Sequence, residues 1–480
     1  MRAIAYVLGQ FLLGLAGTML IPLAFGLAAG SGGTTPLAAG AAASAGAGAI
    51  LMALFRRRPR ELSRREGLLL VVVTWVGMAL FAALPFYLSP HFGSFTDAFF
   101  ESASGLTTTG ATVLEDVEGL PAALQFWRCF THWLGGMGIV LLGVAILPLV
   151  GHGGMHLYRA EFSGARSEKL KPRIAETAIA LWRIYFALTA VEYVALRLAG
   201  MTPFEALCHT FSTLGTGGFS TRNGSIADFH SPVIEMIVLL FMLLAGVSFV
   251  QHYRLWVERR PRSFFRDVEI RYYFLLFAVA GAAVCSLLVW ASGYSVLEGA
   301  RRAFFQVGAI LTTTGLVTDD FEIWHPLAQV ILLTLMFVGG CTGSTAGGMK
   351  MSRILLLGRV VDREFKRMVE RRAVFAVRLG GQVIPEATVQ SLLSLIYLAF
   401  FVNFVSCILL AAVGIDVLTT ISAVAASMFN VGPALGAVGP TDSYAQLPAL
   451  AKWVLTGCMI AGRLEFYTLL ILLTPSFWRR

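Results

Sequence analysis

The sequence predicts an all-α polytopic membrane protein. It reads as four parallel helix–pore-loop–helix repeats in a pseudo-fourfold arrangement, like a potassium channel, preceded by a two-helix hairpin. Three observations carry this. The 480 residues are 57% hydrophobic and 14% charged, against about 25% charged in a soluble domain. Apolar stretches recur at the roughly 20-residue length that crosses a bilayer. Basic clusters punctuate those stretches so that an even number of crossings falls between them. A transmembrane barrel would instead show alternating segments of about 10 residues.

The elements follow in order. Apolar stretches at 4–28 and 36–55 form a hairpin, too long to be the core of a cleaved leader. They make up a unit at 1–66 with the first basic loop, Arg56, Arg57, Arg58, Arg60, Arg64 and Arg65. The next clusters are Arg159, Arg166, Lys169, Lys171 and Arg173, then Arg254, Arg259, Arg260, Arg262, Arg266 and Arg271. The last runs from Lys350 and Arg353 through Arg363, Lys366, Arg367, Arg371, Arg372 and Arg378, and the chain ends in Arg479 and Arg480. The positive-inside rule puts all of these on the cytoplasmic side, so the repeats are parallel. The net charge of +9 therefore reads as membrane orientation and not as nucleic-acid binding.

The repeats are 67–173, 174–271, 272–378 and 379–480. Their outer pairs of spans are 67–88 and 122–150, 177–198 and 232–257, 272–292 and 326–357, and 389–413 and 447–474. Ten spanning helices are expected. Each middle, near 94–121, 201–229, 296–324 and 416–446, is too long and apolar for a plain turn. Each reads as a short helix followed by a glycine-containing loop, and such backbone is tolerated at membrane depth only where it lines a cavity.

Thr-Thr-Thr-Gly occurs twice, at 107–110 and 312–315, inside a 13-residue match with eight identities. Aligned on a glycine, the four loops carry Thr108, Thr109 and Gly110; Thr216 and Gly217; Thr313, Thr314 and Gly315; and Asn430, Val431 and Gly432. The glycines lie about one hundred residues apart. Gly215 and Asn430 then take the place that Thr108 and Thr313 hold, which predicts a weakened inner hydroxyl site. A ring of loop carbonyls is the usual way to hold a dehydrated alkali cation. Carbonyls that all face one axis need backbone angles that glycine adopts freely, and the C-terminal end of each short helix favours a cation there.

The run 339–350 interrupts an apolar stretch with Gly339, Gly340, Gly343, Gly347 and Gly348, flanked by Ser344, Thr345 and Lys350. Five glycines weaken any helix. The run reads either as an unwound intramembrane segment or as close helix packing through small residues. Arg463 lies in the last apolar span, where a charge costs at least about 2.5–3.5 kcal/mol. It either faces the bundle interior or pairs with Glu465 or Glu101.

Weaker features are read blandly. Gly135, Gly136 and Gly138 suit close packing. His132, His209 and His325 suit satisfied polar positions. Trp75, Trp127, Trp133, Trp324 and Trp478 suit interfacial belts. The six scattered cysteines suit small buried hydrophobes. No catalytic constellation is present, so no enzyme is expected.

This pattern resembles the superfamily of potassium transporters that includes TrkH, TrkG, KtrB and plant HKT proteins, over nearly the whole chain from Gly67 to Thr474. The N-terminal hairpin fits the TrkH branch. The resemblance implies potassium uptake across a bacterial inner membrane by channel-like permeation. Gly110, Gly217, Gly315 and Gly432 become filter glycines, 339–350 a gating loop, and Arg463 a cation projecting into the path below the filter. It also implies a homodimer, pore loops facing the periplasm, and a cytosolic regulatory subunit resembling TrkA docked on 353–378. That partner would bind NAD or ATP/ADP, with no cofactor in this chain. Sodium- or proton-coupled transport and a less selective potassium/sodium pore are the alternatives in the same fold. A serine at the first filter glycine would favour sodium, and Gly110 stands there. A secondary transporter predicts inverted repeats and acidic residues in the spans; here the repeats are parallel and the spans nearly lack Asp and Glu.

Overall fold

The computed structural model describes residues 2–55, 63–145 and 174–479. Arg56, Arg57, Arg58, Arg60, Arg480, the cluster from Arg159 to Arg173 and the last five residues, 146–150, of the stretch expected to reach residue 150 lie outside the described residues.

The hairpin is Arg2–Ala28 and Thr34–Leu54. Gly9 and Gly48 let the two backbones meet: a Cβ on either would lie 2.8 Å from the other's carbonyl oxygen. The hairpin then leans on repeat 1, with Gly26 against Ala123 and Gly40 against Pro85.

Four repeats follow. Their first helices are Arg64–Ala82, Ile174–Leu198, Val268–Ser292 and Glu386–Ala412. Their pore helices are Phe95–Leu106, Pro203–Gly215, Val296–Leu311 and Val417–Met428. Each pore helix starts at a side-chain cap, Ser94, Thr202, Ser295 and Asp416, whose oxygen accepts a backbone N–H three residues on. Helices of 12 to 16 residues are about 18–24 Å long and do not reach across a bilayer of about 30 Å. They enter, stop, and deliver the chain to a loop buried in the protein centre. A proline then starts each return helix: Pro121 and Pro448 stand just before one, and Pro232 and Pro326 open one. Proline costs nothing there because the first N–H has no helical partner.

The return helices depart from the expected ten straight crossings. Ala122–Ala145 is one helix. In repeat 2, Pro232–Ala245 and Phe249–Trp256 meet at a 99° bend, and in repeat 4, Ala449–Arg463 and the run from Tyr467 to Leu473 meet at 111°. In repeat 3, Pro326–Val338 stops at Gly339, and helix resumes only at Met351–Val369. So, among the described residues, three of the four return helices break. Among the described residues, six helices are long and apolar enough to cross a membrane, or eight with each bent pair taken as one span. An unexpected two-stranded ribbon, Arg378–Leu379 with Gln382–Val383, turns through Gly380 and Gly381, both at positive φ.

The tryptophan belt expectation fails for three of its residues, while Trp478 is exposed. Trp127, Trp133 and Trp324 are buried. Their indole N–H groups donate inward, to the Ala82 carbonyl, the Thr189 hydroxyl and the Asp319 carboxylate.

Candidate functional site

Each pore helix ends in one recurring turn. Thr109, Gly217, Thr314 and Val431 donate their N–H to the carbonyl five residues back, on Ser104, Ser212, Ala309 and Ala426. The residue before each is left-handed: Thr108 and Thr216 at φ 53°, Thr313 at 54°, Asn430 at 56°. A left-handed β-branched residue costs about 1–3 kcal/mol, so the surrounding packing holds three threonines in strain. The residue after each is again at positive φ: Gly110 at 82°, Gly218 at 88°, Gly315 at 72° and Gly432 at 98°.

This corrects the register of the second loop. The glycine equivalent to Gly110, Gly315 and Gly432 is Gly218, not Gly217. Gly217 matches Thr109, Thr314 and Val431. Thr216, not Gly215, holds the place of Thr108 and Thr313. The inner position is therefore three threonines and Asn430, one hydroxyl richer than the sequence alignment allowed. The adjacent glycines at 217 and 218 made the sequence ambiguous, and only the turn hydrogen bond decides it.

The four loops interlock as a closed ring. A Cβ on Gly110 would lie 2.0 Å from the Gly217 carbonyl oxygen. One on Gly218 would lie 2.2 Å from that of Thr314, one on Gly315 2.0 Å from that of Val431, and one on Gly432 2.5 Å from that of Thr109. Each loop's glycine thus receives the next loop's carbonyl, and the fourth closes on the first. Above the ring, a vestibule of about 400 Å³ opens between the outer loops, bordered by Glu115, Asn223, Asp442 and Gln446.

Cross-ties hold the loops together from outside. Glu101, on the first pore helix, pairs with Arg128 at 2.5 Å, and both are buried. Glu101 also accepts from the Thr112 hydroxyl and the Val113 N–H at 2.9 Å. Arg128 donates to the Ser220 carbonyl at 3.0 Å and lies 3.5 Å over the Phe219 ring, joining the first loop to the second. The Tyr444 hydroxyl donates to the Gly432 carbonyl at 2.7 Å. Farther out, Arg222 pairs with Glu205 at 2.5 Å. Burial works against the Glu205 charge, but the Thr202 hydroxyl and Arg222 outweigh it and hold the carboxyl below the usual glutamate range. Sequence reasoning passed over Arg128 and Tyr444, since a single arginine or tyrosine at a span's end carries no pattern.

Gly339–Lys350 is unwound and lies directly under the ring, with Gly339, Gly343 and Gly348 at positive φ near 77–78°. The Gly347 N–H donates to the Thr313 hydroxyl at 2.6 Å and the Gly348 N–H to the Phe429 carbonyl at 3.1 Å. The break in repeat 2 receives the loop's other side: Cys341 N–H donates to the Gly246 carbonyl, Phe249 N–H to the Gly343 carbonyl, and the Thr345 hydroxyl to the Ala245 carbonyl. Gly340 packs against the Gly246 carbonyl and the Ser344 hydroxyl. Glu269 accepts from Thr342 N–H at 2.7 Å and Ser352 N–H at 3.0 Å, fastening both ends of the segment. Lys350 turns back onto the Ala346 carbonyl.

Among the described residues Arg463 forms no salt bridge. Glu101 is taken by Arg128, and Glu465 pairs with Arg353 at 2.8 Å. Instead the buried guanidinium donates to the Thr345 carbonyl at 2.9 Å and the Gly135 carbonyl at 3.2 Å. It ties the unwound segment to the return helix of repeat 1. Only about 40 Å³ is left between that segment and Arg463, room for little more than a water or two.

The glycines of the return helices make this closeness possible. A Cβ on Gly135 would lie 2.0 Å from the Leu106 carbonyl, and one on Gly462 1.8 Å from that of Met428. The packing expectation for Gly135 and Gly136 is met. His209 is satisfied by the Glu205 carbonyl and the Ser220 hydroxyl, and His325 caps its helix through Leu327 N–H. His132 is not satisfied in that way: it lies against the second loop.

The comparisons with known proteins agree with this geometry. A family profile described as "TrkH: Cation transport protein" matches residues 37–480. The Trk system potassium uptake protein TrkH of Salmonella typhimurium is 41% identical, covering all of this chain and 99% of its own length. TrkG of Escherichia coli is 37% identical over 87% of this chain and 86% of its own. The crystal structure of the potassium transporter TrkH from Vibrio parahaemolyticus superposes with a TM-score of 0.92 at 40% identity, covering all of this chain and 99% of that one. The chain therefore belongs to the TrkH family of cation transport proteins.

Proposed function

We propose that the chain takes up potassium across the bacterial inner membrane by channel-like permeation. It is a transport protein and not an enzyme. The observation that supports the permeation reading most is the closed ring, in which four loops of one turn type interlock glycine to carbonyl. Potassium sheds its water and is held by the carbonyls of Thr109, Gly217, Thr314 and Val431, with Gly110, Gly218, Gly315 and Gly432 above. Thr108, Thr216, Thr313 and Asn430 line the inner end. Carbonyl rings are how cation filters replace a hydration shell.

The segment Gly339–Lys350 is the gate, with Arg463 as its fastener and as a cation barrier on the inner side. It continues straight into Met351–Val369, which displays Lys366 and Arg367 at the surface. A cytosolic nucleotide-binding subunit docked on that basic helix can pull the gate directly. The outer loops face the periplasm, the basic loops face the cytoplasm, and two copies assemble with one pore each.

The test is tracer flux into liposomes holding the purified protein. Rubidium or potassium flux well above sodium flux is expected. No cation flux under any condition, with the partner and its nucleotide present, sinks the reading.

A further inference from the structure

The second loop has no side chain where the other three loops have one. Thr109, Thr314 and Val431 stand at a position that Gly217 holds in loop two. The preceding corner differs as well. The Thr107 and Thr109 hydroxyls bond to each other at 2.8 Å, and Thr312 and Thr314 do the same. Those pairs brace loops one and three against their own pore helices. Loop two carries Gly215 and Gly217 at these places and so has no brace of its own.

The gap is filled from another repeat. A Cβ on Gly217 would lie 2.1 Å from His132 Nδ1, 2.3 Å from its Cγ and 2.6 Å from its Cε1. The imidazole therefore stands where the missing side chain would begin. His132 is fully buried. Its ring stacks on Phe219 with centroids 4.0 Å apart and planes 17° from parallel. The Phe219 N–H points at Nδ1 from 3.5 Å. One turn earlier on the same helix, Arg128 lies over the same Phe219 ring. The backbone joins in, since a Cβ on Gly215 would lie 2.6 Å from the His132 carbonyl oxygen. Gly136, one turn on, packs against Gly215 as well.

We infer that His132 is a specificity-determining residue of the filter: an imidazole supplied by repeat 1 that braces the second loop in place of that loop's own side chain. It is a positioning residue and touches no ion. By fixing the Gly217 and Gly218 peptides, it holds two carbonyls of the ring at the spacing potassium requires. The inference rests on the filter reading above. It goes beyond it in making the second loop's selectivity depend on a residue outside any loop.

The experiment compares potassium and sodium tracer flux, vesicle by vesicle, for five proteins: the unaltered chain, His132→Ala, Gly217→Thr, the double variant His132→Ala/Gly217→Thr, and Gly315→Ser. His132→Ala is expected to lower the potassium/sodium ratio by about tenfold, the scale of one mispositioned contact. Gly217→Thr alone is expected to lose flux, because its Cβ meets the imidazole. The double variant is expected to recover much of both flux and ratio, with the gap now filled by the loop's own side chain, as Val431 fills it in loop four. A merely structural histidine would not be rescued by a threonine in another repeat. The inference is overturned if His132→Ala keeps its ratio while Gly315→Ser loses it, or if the double variant is no better than Gly217→Thr. If His132→Ala does not fold, the double variant against Gly217→Thr still decides. An unchanged ratio in Gly315→Ser removes the filter reading itself, and the inference with it.

Discussion

At the residue scale, the chain places unusual backbone where its chemistry lies. The left-handed threonines at 108, 216 and 313 and the paired glycines are strained or crowded positions, held by the ring around them. Gly218→Ala is expected to damage potassium selectivity as much as Gly315→Ala, because both residues sit at positive φ with a neighbour's carbonyl near 2 Å from the added carbon. Flux ratios for the two variants check this, and a tolerated Gly218→Ala would restore the register read from sequence. Glu101→Gln strands a buried guanidinium, which costs about 3–5 kcal/mol. A marked drop in melting temperature is expected, and an unchanged one would show that Arg128 finds other partners. The exact Thr-Thr-Thr-Gly copies were legible because their side chains repeat. The second loop was misplaced by one because two glycines carry no side-chain signal to set a register.

At the element scale, the capped pore helices, the proline-started return helices and the hairpin were all legible, since caps, prolines and apolar length are local properties. The bends in repeats 2 and 4 were not. The repeat 2 break is marked only by Gly246 and Ser248 and the repeat 4 break by Arg463 and Glu465, residues that alone do not place a bend; in the fold both breaks bond to the segment under the ring. Gly339–Lys350 announced itself only through its glycines. Its hydrogen bonds run to repeats 2, 3 and 4, including the turn at Gly246 and the guanidinium of Arg463, which itself reaches repeat 1 at the Gly135 carbonyl. Deleting 343–347 removes the Thr345 and Gly347 contacts together. Basal flux without any partner is expected to rise severalfold, and unchanged or lower flux in a folded protein would count against the gate.

At the scale of the whole molecule, the question is what drives accumulation. The spans carry few acids, and the proposed function makes the ring a passive path. A membrane potential is worth about 2.3 kcal/mol per charge per 100 mV. With 1.36 kcal/mol per decade, that is about a fiftyfold tracer accumulation at 100 mV. Rubidium uptake at a clamped potential is expected to stop near this ceiling. Accumulation beyond it would show a second, coupled ion.

The closed interlock has a consequence for how such a protein can change over generations. In a channel made of four identical subunits, one codon change alters all four corners of the filter at once, and most such changes are lost. Here a single chain encodes the corners separately, so a substitution reaches one corner and leaves three intact. The path from one ionic preference to another can then be taken a quarter at a time. The second corner, with its two bare glycines and an imidazole from repeat 1 set against it, already differs from the other three.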